Sequence, residues 1–155
     1  MPKLVLVRGS SGAGKSTFAK TNFPQYDHFE ADQYFERIVN EVNQLHNTPI
    51  TYRDVFNKRD LPLAHKECQD NTLNSLKNGR NVVVSNTFTK LWEISHYIEF
   101  AKLVQNVEIT IYELKTQFTN SHDVPLETVN FMKNNFEPCT DGWYKDVPLR
   151  VIVVS

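Results

Sequence analysis

The hydrophobic pattern of the chain switches between short apolar runs and longer stretches with helical spacing. Three runs are rich in β-branched residues without polar alternation, which is typical of strands buried on both faces: Lys3–Arg8, Arg80–Ser85 and Leu149–Val154. Val107–Tyr112 alternates and predicts a fourth strand. Tyr26–Glu30 predicts a weaker fifth strand, because it lies between helical segments.

The stretches between these runs are predicted to be helices, since their apolar residues recur at helical spacing. The predicted helical regions are Lys15–Thr21, Asp32–Leu45, Arg53–Lys77, Lys90–Val104 and Pro125–Phe136. Arg53–Lys77 is either one long helix or two short ones, because Pro62 can open a second helix at its first turn. Strands that alternate with helices predict an α/β fold, with a mainly parallel sheet of about five strands covered on both faces.

Length and charge narrow the class of protein. The 155 residues contain no internal repeat or linker, so we expect a single domain over residues 1–155. Seventeen basic residues against 18 acidic ones argue against a protein that holds nucleic acid by bulk electrostatics, although a small basic site is compatible with them. No apolar run is long enough for a membrane span, and no signal peptide is evident, so a cytoplasmic protein without a membrane partner is expected. Cys68 and Cys139 lack a CxxC or Cys/His pattern and are interpreted as reduced thiols.

A phosphate-binding motif follows the first predicted strand and opens the first predicted helix. The stretch fits G-x-x-x-x-G-K-[ST] without a mismatch, and the predicted nucleotide-binding residues are Gly9, Ser10, Ser11, Gly12, Ala13, Gly14, Lys15, Ser16 and Thr17. Such a loop turns successive backbone N–H groups toward phosphate oxygens. Lys15 is expected to reach the β- and γ-phosphates, and Ser16 is expected to be a Mg²⁺ ligand. The motif therefore predicts a three-layer P-loop NTPase/kinase fold with ATP and Mg²⁺ as cofactors.

A hydroxyl that receives a phosphoryl group needs a proton acceptor close to the γ-phosphate. Asp32 lies just after the second predicted strand, at the edge of the sheet where ligands bind, and is our candidate general base. It could instead be only the N-cap of the next helix. Glu30 is a weaker candidate, and Asp27 is weaker still. Tyr34 and Phe35 either stack on a flat group of the substrate or pack in the core.

The end of the Val-rich third strand lacks a charged group. P-loop enzymes often present a carboxylate to Mg²⁺ there, but this chain has Ser85-Asn86-Thr87. Ser85 or Asn86 could orient a metal-bound water. Alternatively, Asn86 and Thr87 cap the turn into the following helix.

A basic cluster surrounds Phe56 and consists of Arg53, Lys58 and Arg59. Basic residues interleaved with an aromatic ring could contact a nucleic-acid backbone. A solvated helix face explains the same pattern and is slightly favoured.

Several stretches together resemble the phage-type polynucleotide kinase family of P-loop kinases: LVLVRGSSGAGKSTFA, ADQYF, YRDVF with LAHKEC, VVVSNTF and HDVPLETVNFMKNNFE. The likeness covers about Leu4 to Glu137. It implies ATP- and Mg²⁺-dependent transfer of the γ-phosphate to a hydroxyl, typically a nucleic-acid 5′-OH. It matches Lys15 and Ser16 to the nucleotide- and metal-binding pair, and Asp32 to the general base. It also implies a lid with arginines over the phosphates, for which residues 113–137 are the candidate.

The sequence departs from that family at three places. Phe35 stands three residues after Asp32, where polynucleotide members carry an arginine for an acceptor phosphate, although Arg37 is near. The carboxylate near Ser85 and Asn86 is missing. No arginine occurs between Arg80 and Arg150, so the basic or titratable residues that the lid can offer are Lys115, His122 and Lys133.

These observations leave three hypotheses for function. The first is a kinase for the 5′-OH of a polynucleotide, which the resemblance favours. The second is a kinase for a small alcohol, nucleoside or nucleotide, which the near-neutral charge and the missing arginines favour. The third is a regulatory nucleotide-binding module with little transfer activity.

Overall fold

The computed structural model describes residues 2–10, 13–46, 50–104, 106–115, 137, 139, 144, 147 and 149–154. Strands and helices alternate along this part of the chain. The strands are β1 (Lys3–Arg8), β2 (Asp27–Phe29), β3 (Val82–Ser85), β4 (Glu108–Leu114) and β5 (Leu149–Val154). The helices are α1 (Lys15–Asn22), α2 (Gln33–His46), α3 (Tyr52–Val55), α4 (Leu61–Lys77) and α5 (Leu91–Leu103).

The five strands form one sheet in the order β2-β3-β1-β4-β5, and every neighbouring pair among them is parallel. The prediction of a mainly parallel sheet of about five strands is confirmed. Strand β1 lies at the centre, where Leu4 is in register with Val82 of β3 and with Ile109 of β4. Because all strands run the same way, they all end at one side of the sheet, which we call the carboxyl edge. The opposite side is the amino edge.

Helices cover both faces of the sheet. Leu4 faces one side and lies in a hydrophobic cluster with Ile98 of α5. Its neighbour Val5 faces the other side and lies in a second cluster with Ala19 of α1. Side chains alternate across a strand, so an apolar run such as that of β1 supplies both clusters at once. The three-layer α/β architecture predicted from the sequence is therefore confirmed.

The predicted elements differ from the observed ones mainly at their ends. The interpretation of Arg53–Lys77 as one long helix is wrong, because α3 is followed by a 3₁₀ turn at Lys58–Asp60 and then by α4, with Pro62 in its first turn. Helix α4 ends before Asn78-Gly79, as predicted. The predicted helix Pro125–Phe136 and most of the predicted lid 113–137, with His122 and Lys133, lie outside the described residues.

Two further observations concern the cysteines and the apolar character of the helices. Cys68 and Cys139 are both buried free thiols, as expected. Within the described residues, no helix combines the length and the apolar character that a membrane crossing requires.

Candidate active site

The phosphate loop (residues 9–16) connects the carboxyl end of β1 to the first turn of α1. Gly14 precedes the helix with φ of 86° and ψ of 26°, a left-handed conformation that glycine adopts without strain. Its carbonyl oxygen accepts the hydrogen bond of the Phe18 N–H at 2.9 Å. The helix therefore starts at the predicted position, and its first N–H groups lie at the carboxyl edge, where an anion is stabilised. Ser11 and Gly12 lie outside the described residues.

Gly9 occupies a tight space between the loop and β4. A Cβ atom at residue 9 would lie 3.1 Å from Ala13 Cβ and 3.2 Å from the carbonyl oxygen of Leu114. Its own N–H donates to the Thr87 carbonyl oxygen at 3.3 Å. The first glycine of the motif thus lets the phosphate loop lie directly against the exits of β3 and β4.

Lys15 is folded onto the phosphate loop. Its Nζ donates to the backbone carbonyl oxygen of Ser10 at 3.1 Å. Burial lowers the pKa of Lys15, while the nearby carboxylates of Asp32 and Glu30 act to raise it. The cation therefore lies within electrostatic reach of Asp32 and Glu30, the two acidic side chains that follow β2.

Ser16 contacts Glu30, the weaker of the two leading candidates for the general base. Its Oγ donates to Glu30 Oε2 at 2.5 Å. The other carboxylate oxygen, Glu30 Oε1, lies 3.5 Å from His28 Nε2. The same His28 nitrogen lies 2.6 Å from Ser85 Oγ. A chain of polar contacts therefore runs from the end of β3, through β2, to the predicted metal-binding hydroxyl.

Asp32 lies in the turn between β2 and α2, where its carbonyl oxygen accepts the N–H of Glu36 at 3.1 Å. Its carboxylate has a further role, because Asp32 Oδ1 accepts the phenol hydrogen of Tyr52 at 2.7 Å. Burial raises the pKa of Tyr52, and the hydrogen bond to Asp32 raises it further, so the phenol stays a donor. The position of Asp32 before α2 is thus compatible with a side chain that is held from α3 by Tyr52.

Asn86 fixes the segment that carries Glu30 and Asp32. Its Oδ1 accepts the N–H of Ala31 at 2.9 Å, and its Nδ2 donates to Cys68 Sγ at 3.7 Å. The prediction that Asn86 caps the turn into the following helix is therefore wrong. The residue before α5 is Lys90, and the Leu91 N–H at the start of that helix donates to Glu137 Oε1 at 2.9 Å.

The sequence matches a known protein family over most of its length. The profile of the AAA domain family matches residues 4–139, which is most of the chain and includes the phosphate loop and Asp32. The chain belongs to the AAA domain family. No curated protein matches the sequence of this AAA domain protein.

Solved structures share the fold of this AAA domain protein at low sequence identity. A candidate kinase from Chloroflexus aurantiacus has a TM-score of 0.64 at 11% identity, with 98% of this chain and 88% of the other covered. A sugar kinase from Janibacter has a TM-score of 0.60 at 16% identity, covering 99% and 86%. A gluconokinase from Sinorhizobium meliloti has a TM-score of 0.54 at 17% identity, covering 99% and 83%.

The residues of this AAA domain protein fit a nucleotide-bound Mg²⁺. Mg²⁺ is usually held by one or two protein oxygen ligands together with substrate phosphates, rather than by a cage of side chains. Ser16 Oγ and the Glu30 carboxylate form such an oxygen pair beside Lys15. Accordingly, the described residues contain no cluster of three or more His, Cys, Asp and Glu side chains that could hold a metal by itself.

The other predicted candidates lie away from this centre. Asp27 begins β2 at the amino edge, where its Oδ2 accepts from Ser75 Oγ at 2.8 Å and lies 3.4 Å from Arg80 Nη1. Phe35 is fully buried with Ala31 and Ala64, so its side chain belongs to the core. These two residues are therefore structural.

Aromatic and basic side chains of α2 and α3 lie near Asp32. Tyr34 lies beside the Arg37 guanidinium, which is 5.6 Å from the ring centroid, and Arg37 also forms an ion pair with Glu67 of α4. The rings of Tyr52 and Phe56 stack with centroids 5.7 Å apart. Phe56 is partly exposed, and the neighbouring Arg53 and Arg59 are exposed as well.

Sequence reasoning missed a buried ion pair under the phosphate loop. Arg8, the last residue of β1, is fully buried, and its Nη1 lies 3.1 Å from Glu113 Oε1. Its Nε also donates to the Phe88 carbonyl oxygen at 3.1 Å. These bonds tie the ends of β1 and β4 to the loop after β3. The signal was a charged residue at the end of an apolar strand, but its partner depends on the β1–β4 register, which pairs Arg8 with Glu113.

Proposed function

We propose that this protein is an ATP- and Mg²⁺-dependent kinase that transfers the γ-phosphate of ATP to a hydroxyl group. The observation that carries the proposal is the arrangement at the carboxyl edge of the sheet. There Lys15 lies against the phosphate loop, 3.1 Å from the Ser10 carbonyl oxygen, and Asp32 follows β2 with its carboxylate held by Tyr52 at 2.7 Å. The fold likeness to a sugar kinase and a gluconokinase supports the same reaction class.

The phosphate loop and Lys15 act on the phosphate donor. On ATP binding, the Lys15 ammonium exchanges the Ser10 carbonyl oxygen for oxygens of the β- and γ-phosphates. Ser16 would bind Mg²⁺, which neutralises charge on the phosphate oxygens when it is bound. The N-terminus of α1 adds a positive dipole end to the same place.

Asp32 acts on the acceptor. Its Oδ1 accepts the hydrogen bond of Tyr52 at 2.7 Å, which orients the carboxylate at the carboxyl edge of the sheet, where a substrate hydroxyl would lie. In the transfer step the hydroxyl proton passes to Asp32 as the hydroxyl oxygen bonds to the γ-phosphorus. The bond from that phosphorus to the bridging oxygen breaks, and ADP leaves.

We propose two acceptor classes, each favoured by a specific observation. A small polar alcohol is favoured because Phe35 is buried where polynucleotide kinases place an arginine, and because Arg37 is paired with Glu67. A nucleic-acid 5′-OH is favoured by the exposed Arg53 and Arg59 beside the partly exposed Phe56. The described lid residue Lys115 lies 3.7 Å from Glu113, so its charge faces that carboxylate.

The proposal is tested by incubating the protein with γ-labelled ATP and Mg²⁺ against 5′-OH oligonucleotides, nucleosides and sugars in parallel. Label should move to one acceptor class, and Lys15→Ala should abolish the transfer. Transfer to an oligonucleotide should weaken steeply with salt, because phosphate contacts release counterions. Transfer to a sugar or nucleoside should depend little on salt. ATP binding without transfer to any acceptor would contradict the kinase proposal and favour a regulatory nucleotide-binding module.

A further inference from the structure

The end of β3 lacks the carboxylate that P-loop enzymes often direct to Mg²⁺. Ser85, Asn86 and Thr87 follow that strand, and they carry no charge. Ser85 and Asn86 are both buried and engaged with the turn after β2, through His28 and Ala31. The β3 exit therefore supports β2 instead of presenting an acid of its own.

A carboxylate comes to the same place from β2. Glu30 follows the last residue of that strand, and its Oε2 accepts the hydrogen of Ser16 Oγ at 2.5 Å. Only 15% of the Glu30 side chain is exposed. A carboxylate that is mostly buried has lost much of its hydration, so a neighbouring cation stabilises its charged form. Lys15 supplies part of that charge, since Glu30 acts to raise its pKa.

The Glu30 carboxylate has one contact at each oxygen, and the backbone of the next residue is also held. His28 Nε2 lies 3.5 Å from Oε1, and Ser16 holds Oε2. The backbone on its other side is held by the bond from the Ala31 N–H to Asn86. A carboxylate held in this way is prearranged to bind a metal ion, because it needs little reordering when the ion arrives.

We propose that Glu30 supplies the protein carboxylate for the Mg²⁺ of bound ATP, from β2, in place of the one missing after β3. This assignment rests on the proposed donor site, and it gives Glu30 and Asp32 separate roles. Glu30 serves the metal beside Ser16, and Asp32 serves the acceptor hydroxyl.

The test measures by how much Mg²⁺ strengthens nucleotide binding, and it does not depend on phosphoryl transfer. The Kd of a non-hydrolysable ATP analogue is measured by calorimetry with and without Mg²⁺, and the ratio of the two values is the coupling. In Glu30→Gln the coupling should fall by about 10–100-fold, the usual loss when a group that supports a metal is removed. The metal-free Kd should stay equal or become tighter, since a negative charge near the phosphates is gone.

Two further variants complete the test. Glu108→Gln removes an exposed carboxylate from the first residue of β4 at the amino edge, and its coupling should equal that of the parent. Glu30→Asp keeps the charge on a shorter side chain, and its coupling should lie between those of the parent and of Glu30→Gln. Denaturant unfolding of each variant confirms that it is folded.

Each outcome either supports or overturns the assignment of Glu30 to Mg²⁺. Parental coupling in Glu30→Gln, an equal loss of affinity with and without Mg²⁺, or an Asp variant no better than the Gln variant would each overturn the assignment. So would a parent protein that binds nucleotide without regard to Mg²⁺. If the coupling behaves as expected but no acceptor is phosphorylated, the kinase proposal fails while the role of Glu30 stands.

Discussion

The two ends of β2 carry the same chemistry in different settings. At the amino edge, Asp27 is bonded to Ser75 and lies near Arg80, a residue of the loop before β3. At the carboxyl edge, Glu30 and Asp32 contact Ser16 and Tyr52 beside the phosphate loop. The first carboxylate is paired with residues that serve the fold, whereas the other two lie at the same edge as the phosphate loop.

This contrast shows that the position of an acid on a parallel sheet decides its role. The carboxyl edge gathers the exits of β1, β2, β3 and β4, and α1 begins there with its N-terminus, a place that favours an anion. Asp27 lies at the opposite edge, where β2 begins. We therefore expect substitutions at the carboxyl edge to change activity, and those at the amino edge to change stability.

The largest expected effect belongs to Asp32→Asn. An amide cannot take the proton of the acceptor, so kcat should fall by about 10²–10⁴ while the Kd for ATP stays near that of the parent. Steady-state kinetics with the acceptor found in the screen, together with ATP calorimetry, measure the two quantities. Turnover equal to that of the parent would show that Asp32 is not the base.

A smaller effect is expected for Asn86→Ala. The Ala31 N–H would lose its buried partner, which should lower the free energy of unfolding by about 2 kcal/mol. The Glu30–Asp32 segment would also lose its support, so kcat should fall together with stability. Urea unfolding and kinetics on the same preparation check both, and full activity in a destabilised variant would mean that Asn86 does not position the segment.

Tyr52→Phe removes the hydrogen bond to Asp32 and keeps the ring stacked on Phe56. A hydrogen bond to a charged group contributes about 1.5 kcal/mol at the lower end of its range. If that stabilisation is lost from the transition state, kcat should fall about tenfold, with little change in the Kd of ATP. Kinetics of this variant in the Asp32→Asn background give the control. If Tyr52 acts through Asp32, its substitution should have almost no further effect there.

The smallest effect is expected for Asp27→Asn, which tests the comparison between the amino and carboxyl edges of the sheet. It weakens the contacts with Ser75 and the exposed Arg80, so the free energy of unfolding should drop by about 1 kcal/mol. Its kcat should stay within about twofold of the parent, because no part of the site is touched. A large loss of turnover without a loss of stability would contradict the division between the two edges.

Local sequence patterns predicted the fold around the phosphate loop well. The start of α1 and the parallel sheet both follow from periodicity and from glycine positions within a few residues. The surroundings of Asp32 were predicted less well, because they depend on contacts between distant segments. Whether Phe35 would stack on a substrate or fill the core was left open, and contact with Ala64 of α4 decides it.

The contact between Glu30 and Ser16 could not be predicted for a similar reason. The sequence neighbourhood of Glu30 resembles that of any acid after a strand, and only the folded chain places its carboxylate beside Ser16. The partners of Arg8 and of Asn86 are likewise set by strand order and register. The location of Asp32 at the carboxyl edge could be predicted, because it needs only the end of one strand, and its role as general base remains a prediction.

The narrow space at Gly9 has a mechanical consequence. Since even one added carbon would meet the Leu114 carbonyl oxygen, the phosphate loop and the exit of β4 are packed at close range. A side chain at residue 9 would therefore have to displace either the phosphate loop or the end of β4.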